Sequence, residues 1–153
     1  MSYSYEKKYD AVVVAKAGIV RIKKYLNYAV SISPEALMPA VGQAALGIET
    51  RKNDKKTIRL LKFLNDPKTK TLILAERSFL RELKGGCRVP VGVLSSLKGN
   101  TLRLMAGVFS TRTEACVTGE IRGRASESGR LAKILARKLL KKGADKLLKE
   151  ARS

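Results

Sequence analysis

The sequence predicts an α+β domain, a three-stranded antiparallel sheet packed on helices, preceded by the end of an α/β region. Three observations carry this reading. From Asp66 onward the patterning runs helix, three strands, helix, which is a self-contained arrangement. Within it, Leu102, Leu104, Ala106 and Val108 alternate with polar or small neighbours, the period of a half-buried strand. Ahead of it, residues 9–15 form a β-branched apolar run with no partner strands in its own half, as in a buried, parallel strand.

The elements follow in order. After the run at 9–15, a helix is expected from about Lys16, with Ile19, Ile22 and Leu26 on one face. Pro34 and Pro39 break the chain, and residues 44–49 read as another strand. Asn53 or Asp54 can cap a helix carrying Ile58, Leu61 and Leu64. Asp66-Pro67 is a strong helix start, a carboxylate N-cap followed by proline in the first turn. Leu72, Ala75, Phe79, Leu80 and Leu83 recur at helical spacing, and Gly85 is the expected end. Strands are expected near 91–97, 102–108 and 115–121, the first two joined by a hairpin turn at Lys98-Gly99-Asn100. Ser126 opens a last helix with Leu131, Ile134, Leu135 and Leu139, interrupted at Gly143 before Leu147 and Leu148.

Composition limits the chemistry. The 153 residues suffice for one ordinary core or for one domain plus part of another. No apolar run approaches a membrane span, and residues 2–8 are polar and read as no secretory signal. Cys87 and Cys116 are too few for a disulfide framework, so a cytoplasmic location is expected. The chain has no histidine, which removes the commonest general base and metal ligand, and no metal site is expected. The net charge of +19 suits an anionic partner.

One stretch stands out: Gly85-Gly86-Cys87-Arg88-Val89-Pro90-Val91-Gly92. It presents a thiol on a two-glycine turn between helix and strand patterns, a candidate for covalent attachment. It has company. Tyr9-Asp10-Ala11 with Ala17-Gly18 and Arg21, the run from Leu37-Met38-Pro39-Ala40-Val41-Gly42-Gln43 to Glu49, Ala75-Glu76-Arg77-Ser78-Phe79-Leu80, and the cysteine stretch itself resemble, in order and spacing, the porphobilinogen deaminases, or hydroxymethylbilane synthases. One position departs: Ala44 stands where that family has glycine.

The resemblance covers the latter half of a three-domain family. It implies that residues 1–40 end the second α/β domain and that 41–65 are a crossover strand and helix of the first. Residues 66–153 would then be the C-terminal cofactor-attachment domain, with the α/β substrate cleft ahead of it. It implies a transferase that condenses four porphobilinogen molecules into hydroxymethylbilane with release of ammonia. The chain grows on a dipyrromethane cofactor held by a thioether at Cys87. Arg21 matches a family arginine that contacts cofactor or substrate carboxylates, and Gln43 a family position lining the cleft; Gly18 and Gly42 read as permitting close backbone approach. Cys87 is then an anchor. The helix end before it disfavours a thiolate, while Arg81, Lys84 and Arg88 favour one. Asp10, Glu76 and Arg77 read as structural, and Cys116 as an ordinary strand thiol.

The family's catalytic aspartate lies outside this chain, so no catalytic residue is expected here and the isolated chain is expected to be inactive. The implied partners are porphobilinogen, the growing polypyrrole and the missing N-terminal domains, in cis or in trans. A monomeric full-length enzyme is expected, and a fragment exposing apolar surface is open to self-association. Two other readings remain at this point. A basic nucleic-acid-binding module suits the charge, but the strands lack exposed aromatic pairs. A non-catalytic remnant is compatible with the resemblance.

Overall fold

The computed structural model describes residues 9–23, 26–43, 45–84 and 89–152 and divides into two compact units, Met1–Ser33 and Pro34–Ser153. In the first unit, α1 spans Lys16–Ile22 and ends at Lys23, whose φ of 51° is left-handed. Ile19 is its buried side chain. A 3₁₀ turn follows at Leu26–Tyr28. The expected helix face is therefore shorter than its pattern: Ile22 is exposed and Leu26 belongs to the separate turn.

Residues 9–15 do not form the expected strand. They are extended without a ladder and exposed, Val13 at 71%. β-branched residues favour a strand through cross-strand packing, and no described residue pairs with them. The expected strand at 44–49 is also absent. Ala44 lies outside the described residues, 45–49 make no ladder, and Leu46 is 99% exposed.

The second unit contains the rest of the regular structure. Helix α2 spans Lys55–Leu61 and runs into a 3₁₀ turn at Lys62–Leu64. Helix α3 spans Pro67–Glu82. Strands β1 (Val91–Lys98), β2 (Thr101–Phe109) and β3 (Cys116–Arg124) form an antiparallel sheet in that order. The α+β expectation holds. Lys98 faces Thr101 across the tight turn at Gly99-Asn100. After a 3₁₀ turn at Ala125–Glu127, α4 runs over Ser128–Leu139, slightly later than the Ser126 start expected. Gly143, at φ 103°, kinks the chain before α5, Asp145–Glu150. Among the described residues no helix is long and apolar enough to cross a membrane.

The alternation in β2 works as the sequence suggests. Leu102, Leu104, Ala106 and Val108 are fully buried on one face of the sheet. Helix α3 lies over β1, α4 lies over β3, and the two helices touch. Ala75, Phe79 and Leu83 from α3 meet Ala132, Leu135, Ala136 and Leu139 from α4, with Val93, Ala144 and Leu148 completing the core. On the other face, Arg103 reaches both Glu120 at 2.9 Å and Glu35 at 3.3 Å. Arg103, then Arg122, hold the Glu120 carboxyl below the usual range.

Two carboxylate caps define where helices begin. Asp54 accepts from the Thr57 N–H at 3.0 Å and from its hydroxyl at 2.7 Å. Asp66 accepts from the Thr69 N–H at 2.6 Å, and Pro67 occupies the first turn, where its missing N–H costs no hydrogen bond. The Thr69 N–H, followed by its hydroxyl, lowers the Asp66 pKa. A lowered carboxyl pKa stabilises the fold above the unfolded value, and that contribution is lost as pH falls through the folded one. Asp66→Asn keeps a capping oxygen but cannot titrate. The melting temperature of the wild type, followed by circular dichroism from neutral to acid pH, should therefore fall more steeply below about pH 4 than that of Asp66→Asn.

Core and exposed apolar positions should separate sharply. Phe79→Ala removes a fully buried ring and is expected to cost about 3–5 kcal/mol. Leu46→Ala should stay within about 0.5 kcal/mol. Urea midpoints of the two variants measure the contrast.

Candidate functional site

Gln43 sits on a tight turn. Its N–H donates to the Ala40 carbonyl at 3.1 Å, and the Ala45 N–H donates to the Gly42 carbonyl at 3.3 Å. Gly42 has φ +76°, a conformation that L side chains rarely adopt. The Gln43 side chain is exposed and available to a ligand.

What holds this turn is Glu76. It lies in the middle of α3, is 7% exposed, and is the buried charged residue of the described chain. One carboxylate oxygen accepts from the Gly42 N–H at 2.8 Å. The other accepts from the Ser95 hydroxyl on β1. An ionised carboxylate only accepts, and both of these partners donate. Charge-assisted bonds of this kind are stronger than neutral ones, and an unpaired buried carboxylate would be costly.

The same segment is fastened along the edge of β1. The Val93 N–H donates to the Pro39 carbonyl at 2.8 Å. Met38 lies so close to Gly92 that a Cβ there would come within 2.5 Å of the Met38 Cβ and 3.1 Å of its carbonyl oxygen. Glycine at 92 is therefore a packing requirement. The run containing Gln43, the helix containing Glu76 and the strand opening at Val91 thus make one joint within the second unit.

Cys87, with Gly85, Gly86 and Arg88, lies outside the described residues. The stretch is bounded on one side by the end of α3, where Leu83 caps the helix and Lys84 takes φ 51°. On the other side Val89 packs against the core. The helix therefore ends before the expected Gly85. Two carbonyls at this end are bound from far along the chain: the Arg152 guanidinium donates to Lys84 at 2.8 Å and to Leu83 at 3.3 Å.

Gly18 and Arg21 lie on α1, in the first unit, whereas Gln43 lies in the second. Arg21 is exposed in the last turn of its helix, a favourable place for a cation. Apart from the adjoining residues and, for Gly18, its own helix backbone, no described atom lies within 4 Å of a Cβ built at Gly18 or Gly42, which leaves open space beside each backbone. Cys116 is exposed and pairs with Phe109 at the start of β3, on the face opposite Val117 and Ile121.

Sequence reading missed what Glu76 does. The signal was present: Leu72, Glu76, Phe79 and Leu83 recur at helical spacing, which puts a carboxylate on the buried stripe. A charge at such a position needs donors. The link from Arg152 to α3 had no local signal.

Two family models match the chain. Residues 2–59 match "Porphobilinogen deaminase, dipyromethane cofactor binding domain" and residues 70–141 match "Porphobilinogen deaminase, C-terminal domain". The chain belongs to the porphobilinogen deaminase family. The porphobilinogen deaminase of Chlorobium phaeobacteroides is 39% identical over 96% of this chain and 48% of its own length. That of a Roseiflexus species is 43% identical over 94% and 47%, and that of Prochlorococcus marinus is 40% identical over 94% and 45%. The chain spans about half the length of these porphobilinogen deaminases. Gly18, Arg21 and Gln43 fall within the match described by the cofactor, and Cys87 within the C-terminal match. Neither match favours the nucleic-acid-binding alternative.

The clasp on the Gln43 turn predicts a stability split. Glu76→Ala should cost about 2–4 kcal/mol, because it removes two hydrogen bonds to a charged acceptor. Ser95→Ala should cost about 1 kcal/mol. Hydrogen exchange should lose protection at the Gly42 amide in Glu76→Ala and retain it in Ser95→Ala.

Proposed function

We propose that this chain is the cofactor-carrying half of a porphobilinogen deaminase, the transferase that condenses four porphobilinogen molecules into hydroxymethylbilane with loss of ammonia. The observation that carries the reading is the Glu76 joint. It fastens the turn bearing Gln43 to α3, the helix that precedes the Gly85–Gly92 stretch in sequence, so the family-like motifs at 37–49 and 75–80 meet in one compact unit. In this reading residues 1–40 end the second α/β domain, 41–65 belong to the first, and 66–153 form the attachment domain. The remainder of the enzyme is supplied in cis or in trans, and the location is cytoplasmic.

The donor set suits dipyrromethane. The group carries several carboxylates and needs one covalent anchor. Exposed Arg21, which has no carboxylate partner among the described residues, offers a bidentate fork. Gln43 offers an exposed amide that can donate or accept. Cys87 offers the thiol.

Attachment at that thiol balances simply. The Cys87 sulfur forms a bond to the aminomethyl carbon of a porphobilinogen unit. The carbon–nitrogen bond breaks, and the ammonia departs carrying the thiol proton. A soft sulfur nucleophile gives a stable thioether, and the thiolate is its reactive form. Once bound, the cofactor supplies the pyrrole position on which the product chain grows. The residues of this chain anchor and orient. The carboxylate that handles pyrrole protons belongs to the other half of the enzyme, so the 153-residue chain alone should show no turnover.

The test is the intact mass of the chain produced in cells supplied with porphobilinogen. A dipyrromethane increment that maps to Cys87 and vanishes in Cys87→Ser is expected. An unmodified Cys87 under these conditions, or an increment on Cys116, would sink the attachment role. Sustained release of hydroxymethylbilane by the pure chain, beyond the porphobilinogen taken up in attachment, would overturn the predicted inactivity. A protein that remains unmodified and silent after a complementary half is added is instead a non-catalytic remnant.

A further inference from the structure

Helix α4 and the turn after it carry a row of positive charge on their outer side. Leu135 and Leu139 are fully buried, and both pack against Gly119 of β3. Opposite them, Arg130, Lys133, Arg137 and Lys141 are exposed at spacings of three and four residues, which sets them in one row along the helix. Lys138 and Lys142, also exposed, flank that row four residues apart. Two carboxylates reach it, and each is engaged: Glu127 holds Arg130 at 2.7 Å, and Glu82 of α3 holds Arg137 at 2.7 Å. Lys133, Lys138, Lys141 and Lys142 enter no ion pair among the described residues. Lys133, Arg137 and Lys141, four residues apart, repel one another along the helix, a cost that an anionic partner would remove.

We propose that this row docks the phosphate backbone of a nucleic-acid duplex without regard to its sequence. From Lys133 to Lys141 the helix rises about 12 Å, and a duplex presents a phosphate for about every 1.7 Å of its axis, dense enough to meet each cation. The unpaired cations are lysines, point charges that bind phosphate without a planar fork to read bases. No aromatic residue lies between Ser128 and Arg152, so unstacked bases would find no platform; a duplex, whose bases stack on one another, needs none. Two other polyanions fit less well. Protein interfaces favour aromatic, methionine and arginine side chains and are depleted in lysine, whereas lysine dominates here. A bilayer surface takes up the apolar face of an amphipathic helix, but that face of α4 is spent in the core, and Ile134 is the large apolar side chain of α4 that stands exposed. Such docking is separate from cofactor attachment, since it uses neither Arg21 nor the Gln43 turn, and it needs no base-reading sheet.

The test titrates the full 153-residue chain into a fluorescent DNA duplex of about 20 base pairs and mixed sequence, with anisotropy followed from about 50 to 200 mM salt. Because the whole chain is basic, two quadruple variants of equal charge are compared. One neutralises the row: Lys133→Gln, Lys138→Gln, Lys141→Gln and Lys142→Gln. The other makes the same change at Lys52, Lys55, Lys56 and Lys62, exposed in and around α2. The row variant is expected to bind about ten-fold or more weakly, and the magnitude of its slope of log affinity against log salt should fall by about 3 to 4. The α2 variant should change affinity less than about two-fold. Arginine at the four row positions keeps the charge and should keep the slope, and melting temperatures measured alongside separate lost contacts from a damaged fold. Equal weakening in the two glutamine variants overturns the proposal, since overall charge would then explain binding. So does a wild-type chain that leaves the duplex unbound at the lowest salt, or a folded row variant with an unchanged slope. Capture of the wild type by phosphatidylserine vesicles or by polyglutamate, lost in the row variant while duplex binding persists, would overturn it in favour of a bilayer or an acidic protein.

Discussion

The second unit depends on a buried carboxylate that has found two donors. Glu76 sits on the same helical stripe as Phe79 and Leu83, where an apolar side chain would satisfy the core without help. A charge there must be repaid by hydrogen bonds, and both come from elements distant in sequence: the Gly42 backbone and the Ser95 hydroxyl. The consequence is positional. A hydrophobic contact would tolerate sliding of the 38–43 segment along β1. A carboxylate aimed at one N–H and one O–H fixes where that segment sits. The Pro39–Val93 hydrogen bond and the absence of a side chain at Gly92 then close the joint on its other side.

The C-terminal core was legible because its signals are local and agree with one another. Asp66-Pro67 states a helix start in two residues, and both the cap and the proline position are realised. The alternation from Leu102 to Val108 specifies the buried face directly, since a slip of one residue would turn every one of those side chains to solvent. The turn at Gly99-Asn100 fixes the register between β1 and β2. The kink at Gly143 was marked by the glycine itself. By contrast, the joint at Glu76 and the bridge from Arg152 to α3 are contacts across tens of residues. Patterning reveals that a buried carboxylate needs partners; it does not say which N–H will serve.

The charge balance has a structural origin too. Acidic side chains are consumed by the fold: Asp54 and Asp66 cap helices, Glu76 clasps the turn, Glu82 holds Arg137, Glu120 bridges Arg103 and Arg122, and Glu150 gathers the β2–β3 connection. These acids therefore act locally, in a chain whose 32 basic residues outnumber its 13 acidic ones. A surface left positive in this way attracts carboxylate-bearing ligands by its sum, and in the reading proposed above forks such as Arg21 supply the selectivity. Salt would weaken the first effect more than the second, because screening acts most on separated, exposed charges.

The two failed strand expectations share one cause. Residues 9–15 are a β-branched apolar run and 44–49 a shorter, mostly apolar one, yet such composition describes a need for neighbours on both sides and not a conformation the backbone adopts alone. Across the described chain the need is met only where the partners are present. From Asp66 onward the apolar stripes of α3, α4 and β2 close on one another, and Phe79, Leu104 and Leu135 are fully buried. Before it, Val13, Val30, Leu46 and Phe63 stand largely exposed. Few monomeric domains expose so many large apolar side chains over one stretch. The same sequence signal thus yields strands in one half and extended, unpaired backbone in the other. What differs is the availability of a ladder, since an isolated strand buries too little apolar surface to offset the entropy of ordering it.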